Sequence, residues 1–169
     1  MELIKNTMRD TDNYTIYVMA TRSSGIVAKL IRKFSSRSSK LPEFDHVVLV
    51  YRANEYHMTH PHAEKRPVTF RPHNTVYKVI NVKPKEFWNF VHTEIKEKTP
   101  YVTWQLITKS FTMMFGWNPV KAYMDCIDFV VKALVQPYPK DVDRWTVGQG
   151  IQHLVDNNII KHVEDFENY

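Results

Sequence analysis

Phe44-Asp45-His46-Val47-Val48-Leu49-Val50-Tyr51 is the strongest strand signal in the chain. It is β-branched and apolar almost without interruption. A run of that kind predicts a central strand covered on both faces. Arg52-Ala53-Asn54 follows as a short turn, and Glu55 to Thr59 returns as a paired strand. His60-Pro61-His62 interrupts that strand. Two more short strands are expected at Pro67 to Phe70 and at Thr75 to Val82.

Before the central run, Asn13 to Met19 reads as a strand of aromatic and β-branched residues. Arg22-Ser23-Ser24-Gly25 breaks it, and Ser23 or Ser24 can cap a following helix. Ile26, Val27, Leu30, Ile31 and Phe34 then recur at helical spacing. Ser35 to Pro42 is a loop by composition. The first half of the chain is therefore mostly sheet, with about five strands following one another as an antiparallel meander would.

The second half reads as helical. Pro84 suits a helix start, where its missing N–H costs nothing. Phe87, Trp88, Val91 and Ile95 form a stripe behind it. Trp104, Ile107, Phe111 and Phe115 mark a second helix, and a third runs from about Cys126 to Val135, stopped before Pro137. Thr146 caps a last helix through Ile151, Leu154 and Val155. No repeat or boundary divides the chain, so 1–169 reads as one α+β domain, with 137–169 an extension of it.

Length and composition agree. The chain has 169 residues, 43% of them hydrophobic and 13% aromatic, which supplies a real core and excludes a mainly disordered chain. It holds a single cysteine, Cys126, which excludes an internal disulfide or a multi-cysteine zinc site. No apolar run approaches the ~20 residues of a membrane span. The polar stretch Met1 to Asp12 does not resemble a secretory signal, so an intracellular location is expected. The net charge of +5 is mildly basic. Lys29, Arg32, Lys33, Arg37 and Lys40 are the densest basic stretch, but no recognition motif accompanies them, so a solvated helix face is preferred to a nucleic-acid surface.

Chemistry centres on Cys126. In Met124-Asp125-Cys126-Ile127-Asp128-Phe129-Val130, Asp125 is a cap candidate and Cys126 falls in the first helical turn. The helix dipole favours a thiolate there, and the next backbone N–H can line an oxyanion site. A buried structural cysteine fits the same pattern. His46, opening the central strand, adds a general base to a thiol nucleophile. A third group must orient the imidazole. Glu55 and His57 share one face of the next strand, and antiparallel pairing brings that strand beside His46. His57-x-x-His60-x-His62 invites a metal reading, but it spans a Pro-interrupted turn without an acidic or cysteine ligand at standard spacing, so neither a metal nor a cofactor is expected.

Together these segments resemble the circularly permuted NlpC-type papain-like hydrolases, in which the His strand precedes the Cys helix. The likeness rests on three pieces: Arg22 through Phe34, Asp45-His46-Val47-Val48-Leu49-Val50-Tyr51, and Tyr101 with Asp125-Cys126-Ile127-Asp128-Phe129-Val130. It covers residues 14 to 135. Val48 stands where the family often has a small residue, and Arg52-Ala53-Asn54 replaces its Gly-containing turn, one residue shorter. The third position therefore lies between His57, which is preferred, and Glu55.

The resemblance implies a papain-like fold with the Cys on a late helix, and thioester chemistry on a peptide, amide or acyl substrate. Cys126 would be the nucleophile, His46 the base and His57 its orienter. The Cys126 backbone N–H would stabilise the oxyanion, with Tyr17 or Ser23 of the first-strand region as further candidates there. It also implies bacterial and viral relatives, which would put a phage-encoded chain in the host cytoplasm or the virion. The alternative is a catalytically silent binding or structural accessory protein on the same scaffold.

Overall fold

The computed structural model describes residues 15–23, 25, 28–29, 32, 44–59, 61–69, 74–101 and 124–163. Among these, six strands form one sheet: β1 (Ile16–Thr21), β2 (His46–Tyr51), β3 (Asn54–Met58), β4 (Ala63–Pro67), β5 (Thr75–Val79) and β6 (Ile160–His162). Three helices accompany them: α1 (Pro84–Glu97), α2 (Cys126–Leu134) and α3 (Val147–Asp156). The helix expected around Trp104 to Phe115 lies outside the described residues.

The strand order is β4-β3-β2-β1-β5-β6, and every neighbouring pair is antiparallel. β1 to β4 form a meander, but its fourth strand is Ala63–Pro67 and not the expected Pro67 to Phe70: Val68 and Thr69 lie beyond the strand. β5 crosses back to the free edge of β1, where Val18 faces Tyr77 and Met19 faces Val76. β6 then extends that side, so the sheet has six strands rather than about five.

β2 lies between β1 and β3, and Val47, Val48, Leu49 and Val50 are all buried. Side chains alternate between faces, so a strand buried on both sides needs apolar residues at every position. On one face Val47, Leu49, Val18, Tyr56 and Met58 pack under Phe87, Val91, Phe129, Val130 and Ile151 of the helices. On the other, Val48 and Val50 join Tyr17, Met19 and Val76. The β2–β3 hairpin closes through Arg52 and Ala53, with Tyr51 paired to Asn54. Arg52 takes the left-handed conformation, φ 48°, as two-residue hairpin turns of the primed kind require.

Helix starts follow the local sequence. Pro84 opens α1 at a position where its missing N–H is not needed. Asp125 caps α2 and Thr146 caps α3, each in a reciprocal capping box with Asp128 and Gln149 respectively. Of the helix expected between Ile26 and Phe34, the described residues Ala28, Lys29 and Arg32 are helical.

Candidate active site

Antiparallel pairing puts Thr21 opposite His46, Val50 opposite Glu55, His57 opposite Glu64 and Glu55 opposite Arg66. Directly opposed residues share a face. His46, His57, Glu55, Glu64 and Arg66 therefore occupy one side of β2, β3 and β4, the side opposite the helices.

His46 Nε2 lies 3.3 Å from His57 Nδ1. His57 Nε2 lies 3.1 Å from Glu64 Oε1. The three side chains make a line running from β2 across β3 to β4, the sheet's edge. His57 is fully buried, while the Glu64 side chain is 37% exposed. Burial first, and the Arg66 guanidinium second, hold the His57 imidazolium down, below the ordinary histidine range; Glu55 and Glu64 pull the other way.

Glu55 is engaged elsewhere. Its buried carboxylate accepts from Arg66 Nε and from the Thr69 N–H. Arg66 Nη1 also lies 3.5 Å from Glu64 Oε1, which ties the two carboxylates together. Of the two candidates for a third residue, His57 is the one beside His46. Glu64 was missed in sequence because its strand, Ala-Glu-Lys-Arg-Pro, shows no apolar alternation.

Cys126 is the first residue of α2 and is fully buried. The polarity of α2 fixes its end of the sheet. The last residues, Ala133 and Leu134, line a cleft with Val82 and Ile159, just beyond the ends of β5 and β6 that flank Val79 and Ile160. β1 begins at that end, because Tyr17 pairs with Lys78. Cys126 thus lies toward the other end, where Thr21 pairs with His46. Tyr101 supports this placement. Its N–H donates to Pro61 O in the β3–β4 connection, and its phenol is kept protonated by burial and by the nearby Cys126 and Asp125.

Cys126 packs in the core on the helical side of the sheet. His46, the first residue of β2, alternates with Val48 and Val50 of the other face. The cap constrains the oxyanion expectation as well. Asp125 Oδ1 accepts from both Ile127 N–H, 3.1 Å, and Asp128 N–H, 2.9 Å. The N–H that follows Cys126 is thus already committed, and the cap carboxylate opposes a second anion on the sulfur.

The first-strand candidates fall differently. Tyr17 shares the face of His46 but sits opposite Val50, four residues along β1 from Thr21, a distance of roughly 13 Å. It is not brought to the His46 end. Ser23 is at that end, yet its N–H donates to both Asp45 oxygens, 2.8 and 3.1 Å, so that N–H is not an oxyanion donor. Arg32 Nη1 bridges Ser23 O and Asp45 Oδ1, which pins the residues leading into β2.

Among the described residues no three His, Cys, Asp or Glu side chains are grouped to hold a metal ion; His60 lies outside them. No described helix is long and apolar enough to cross a membrane. No family model matches the chain, and neither the curated proteins nor the solved structures give a match.

Proposed function

We propose that the chain is a cysteine hydrolase of the permuted papain-like kind, cleaving an amide, peptide or ester bond through a thioester on Cys126. The observation that carries this reading is the His46–His57 contact at the end of the sheet where the Cys126 helix begins. His57 holds Nε2 of His46, so Nδ1 is the nitrogen that takes up the thiol proton. The Cys126 sulfur then attacks the substrate carbonyl carbon. The C–N or C–O bond breaks, and the leaving group departs with the proton from His46. Water, deprotonated by the same imidazole, cleaves the thioester and restores the thiol.

Complete burial of Cys126 favours a second reading, in which the thiol is a core residue and the scaffold serves binding only. One experiment separates the two. The protein is treated with iodoacetamide at pH 6 and weighed intact. As Cys126 is the only cysteine, any thiol adduct reports on it. The hydrolase reading expects one adduct, lost in Cys126→Ala. An ordinary thiol, with a pKa of about 8.5, barely reacts at that pH. An unmodified mass supports the silent scaffold.

A further inference from the structure

We infer that Glu64 is a positioning residue: from the sheet edge it sets the direction of every proton in the His46–His57–Glu64 line. The inference deepens the hydrolase reading and rests on it for its catalytic meaning.

A line of two imidazoles can be protonated in two senses. In one, each Nε2 carries its hydrogen and each Nδ1 its lone pair. In the other, His57 Nδ1–H donates to His46 Nε2, and the His46 proton sits on Nδ1. Only the first leaves a basic lone pair on His46 Nδ1. The 3.3 Å separation fits both equally well.

The end of the line decides between them. Glu64 Oε1, 3.1 Å from His57 Nε2, is a carboxylate oxygen and only accepts. His57 Nε2 must therefore carry the hydrogen. His57 is fully buried with one charged partner on this nitrogen, and it stays neutral, so its Nδ1 accepts. His46 Nε2–H donates to it, and the lone pair falls on His46 Nδ1. The Arg66 guanidinium, its Nη1 3.5 Å from the same Glu64 oxygen, adds an ion pair that favours the carboxylate at this inward position. A carboxylate fixing the tautomer of an imidazole is a recurrent device. Here it acts through a second imidazole.

The test reads the tautomers directly. Long-range proton–nitrogen correlation spectra of uniformly nitrogen-15-labelled protein, with His57→Gln used for assignment, report which ring nitrogen of each histidine bears hydrogen. The wild type should show His46 and His57 both protonated at Nε2. Glu64→Ala, on a half-exposed edge position, should turn both rings into tautomer mixtures. It should also slow iodoacetamide labelling of Cys126 at pH 6 by roughly tenfold, part of the ~10²–10⁴-fold that general-base assistance supplies. Glu64→Gln should keep the wild-type tautomers, because the Arg66 guanidinium 3.5 Å away favours the amide oxygen over the amide NH2 at the inward position, where His57 Nε2–H donates to it.

A wild-type spectrum with His57 protonated at Nδ1 overturns the inference. So does a folded Glu64→Ala protein with unchanged tautomers. Should Glu64→Ala fail to fold, the wild-type and Glu64→Gln spectra still decide. Should the tautomers behave as stated while wild-type Cys126 never labels, the hydrolase reading fails and the positioning by Glu64 stands.

Discussion

His57 Nδ1 meets His46 Nε2 at 3.3 Å, with the two rings edge to face at 65°, and this contact ties the first residue of β2 to β3. Neither ring is held by apolar packing alone. His57 is buried between a second imidazole and a carboxylate, so its protonation is part of the stability of the sheet.

That coupling gives a pH dependence with a definite sign. The folded His57 binds its proton less readily than the unfolded one, whose value is near 6.5. As pH falls below about 6.5 the unfolded state takes up a proton that the folded state refuses, so stability falls with falling pH. The groups facing His57 are His46, Glu55, Glu64 and Arg66, and with them unchanged the window runs from 6.5 down to the lowered folded value. The slope contributed is at most about 1.4 kcal/mol per pH unit. Urea unfolding between pH 7 and pH 5 should show a shallower decline for His57→Gln than for the wild type. Parallel declines refute the buried neutral imidazole.

His46→Ala probes the base itself. Iodoacetamide labelling of Cys126 should fall far more at pH 7 than at pH 9, where the thiol ionises without help. His57→Gln should give a smaller loss of the same kind, since it disturbs the orientation of His46 and not its presence. Equal losses at both pH values, in either variant, point to a disturbed fold and count against a base on β2.

Much of this architecture was legible in sequence because it is local. The Phe44–Tyr51 run announces a strand buried on two faces, Pro84 announces α1, and Asp125 and Thr146 announce their helices through capping chemistry. What was not legible depends on long-range pairing. Ile160–His162 is only three residues long and is a strand because β5 lies beside it. Ala63–Pro67 is charged and exposed, as edge strands often are, so its alternation carries no apolar signal. Glu64 could be found only after β3 and β4 were registered against each other. The height of Tyr17 depends on the same pairing: it shares the face of His46, but β1–β2 register sets it four residues from the level of His46.

The cap of α2 should be separable from the chemistry of Cys126. Asp125→Ala removes the acceptor for Ile127 and Asp128 N–H, both buried, and should lower the unfolding free energy by about 1–2 kcal/mol. Asp125→Asn keeps an acceptor oxygen and should recover most of that loss. A urea midpoint shift at constant m-value measures both. If Asp125→Ala costs nothing, the helix start is held by packing and not by its cap.

The last relationship joins α3 to the turn that carries Cys126. A Cβ placed on Gly150 would lie 2.2 Å from Ile127 Cγ1 and 2.4 Å from its Cδ1, with Val131 Cγ2 at 3.5 Å. The Cδ1 contact relaxes by χ2 rotation, but Cγ1 is relieved only by a χ1 change, which a β-branched residue in a helix resists, or by a shift of the helix itself. Ile127 is 1% exposed and follows Cys126 directly, so pushing it displaces the first turn of α2. Gly150→Ala should therefore cost about 1–3 kcal/mol, the range for overpacking a tight core, despite the better helix propensity of alanine. Ile127→Ala alone leaves a cavity and should cost about 2–5 kcal/mol. The double variant removes the clash and partly fills the cavity with the new methyl. Its loss should be smaller than the sum of the two single losses by at least about 1 kcal/mol, as contacting residues allow. A urea double-mutant cycle measures that difference. Strict additivity means that α3 does not seat on Ile127, and that the close approach at Gly150 does not hold the Cys126 turn.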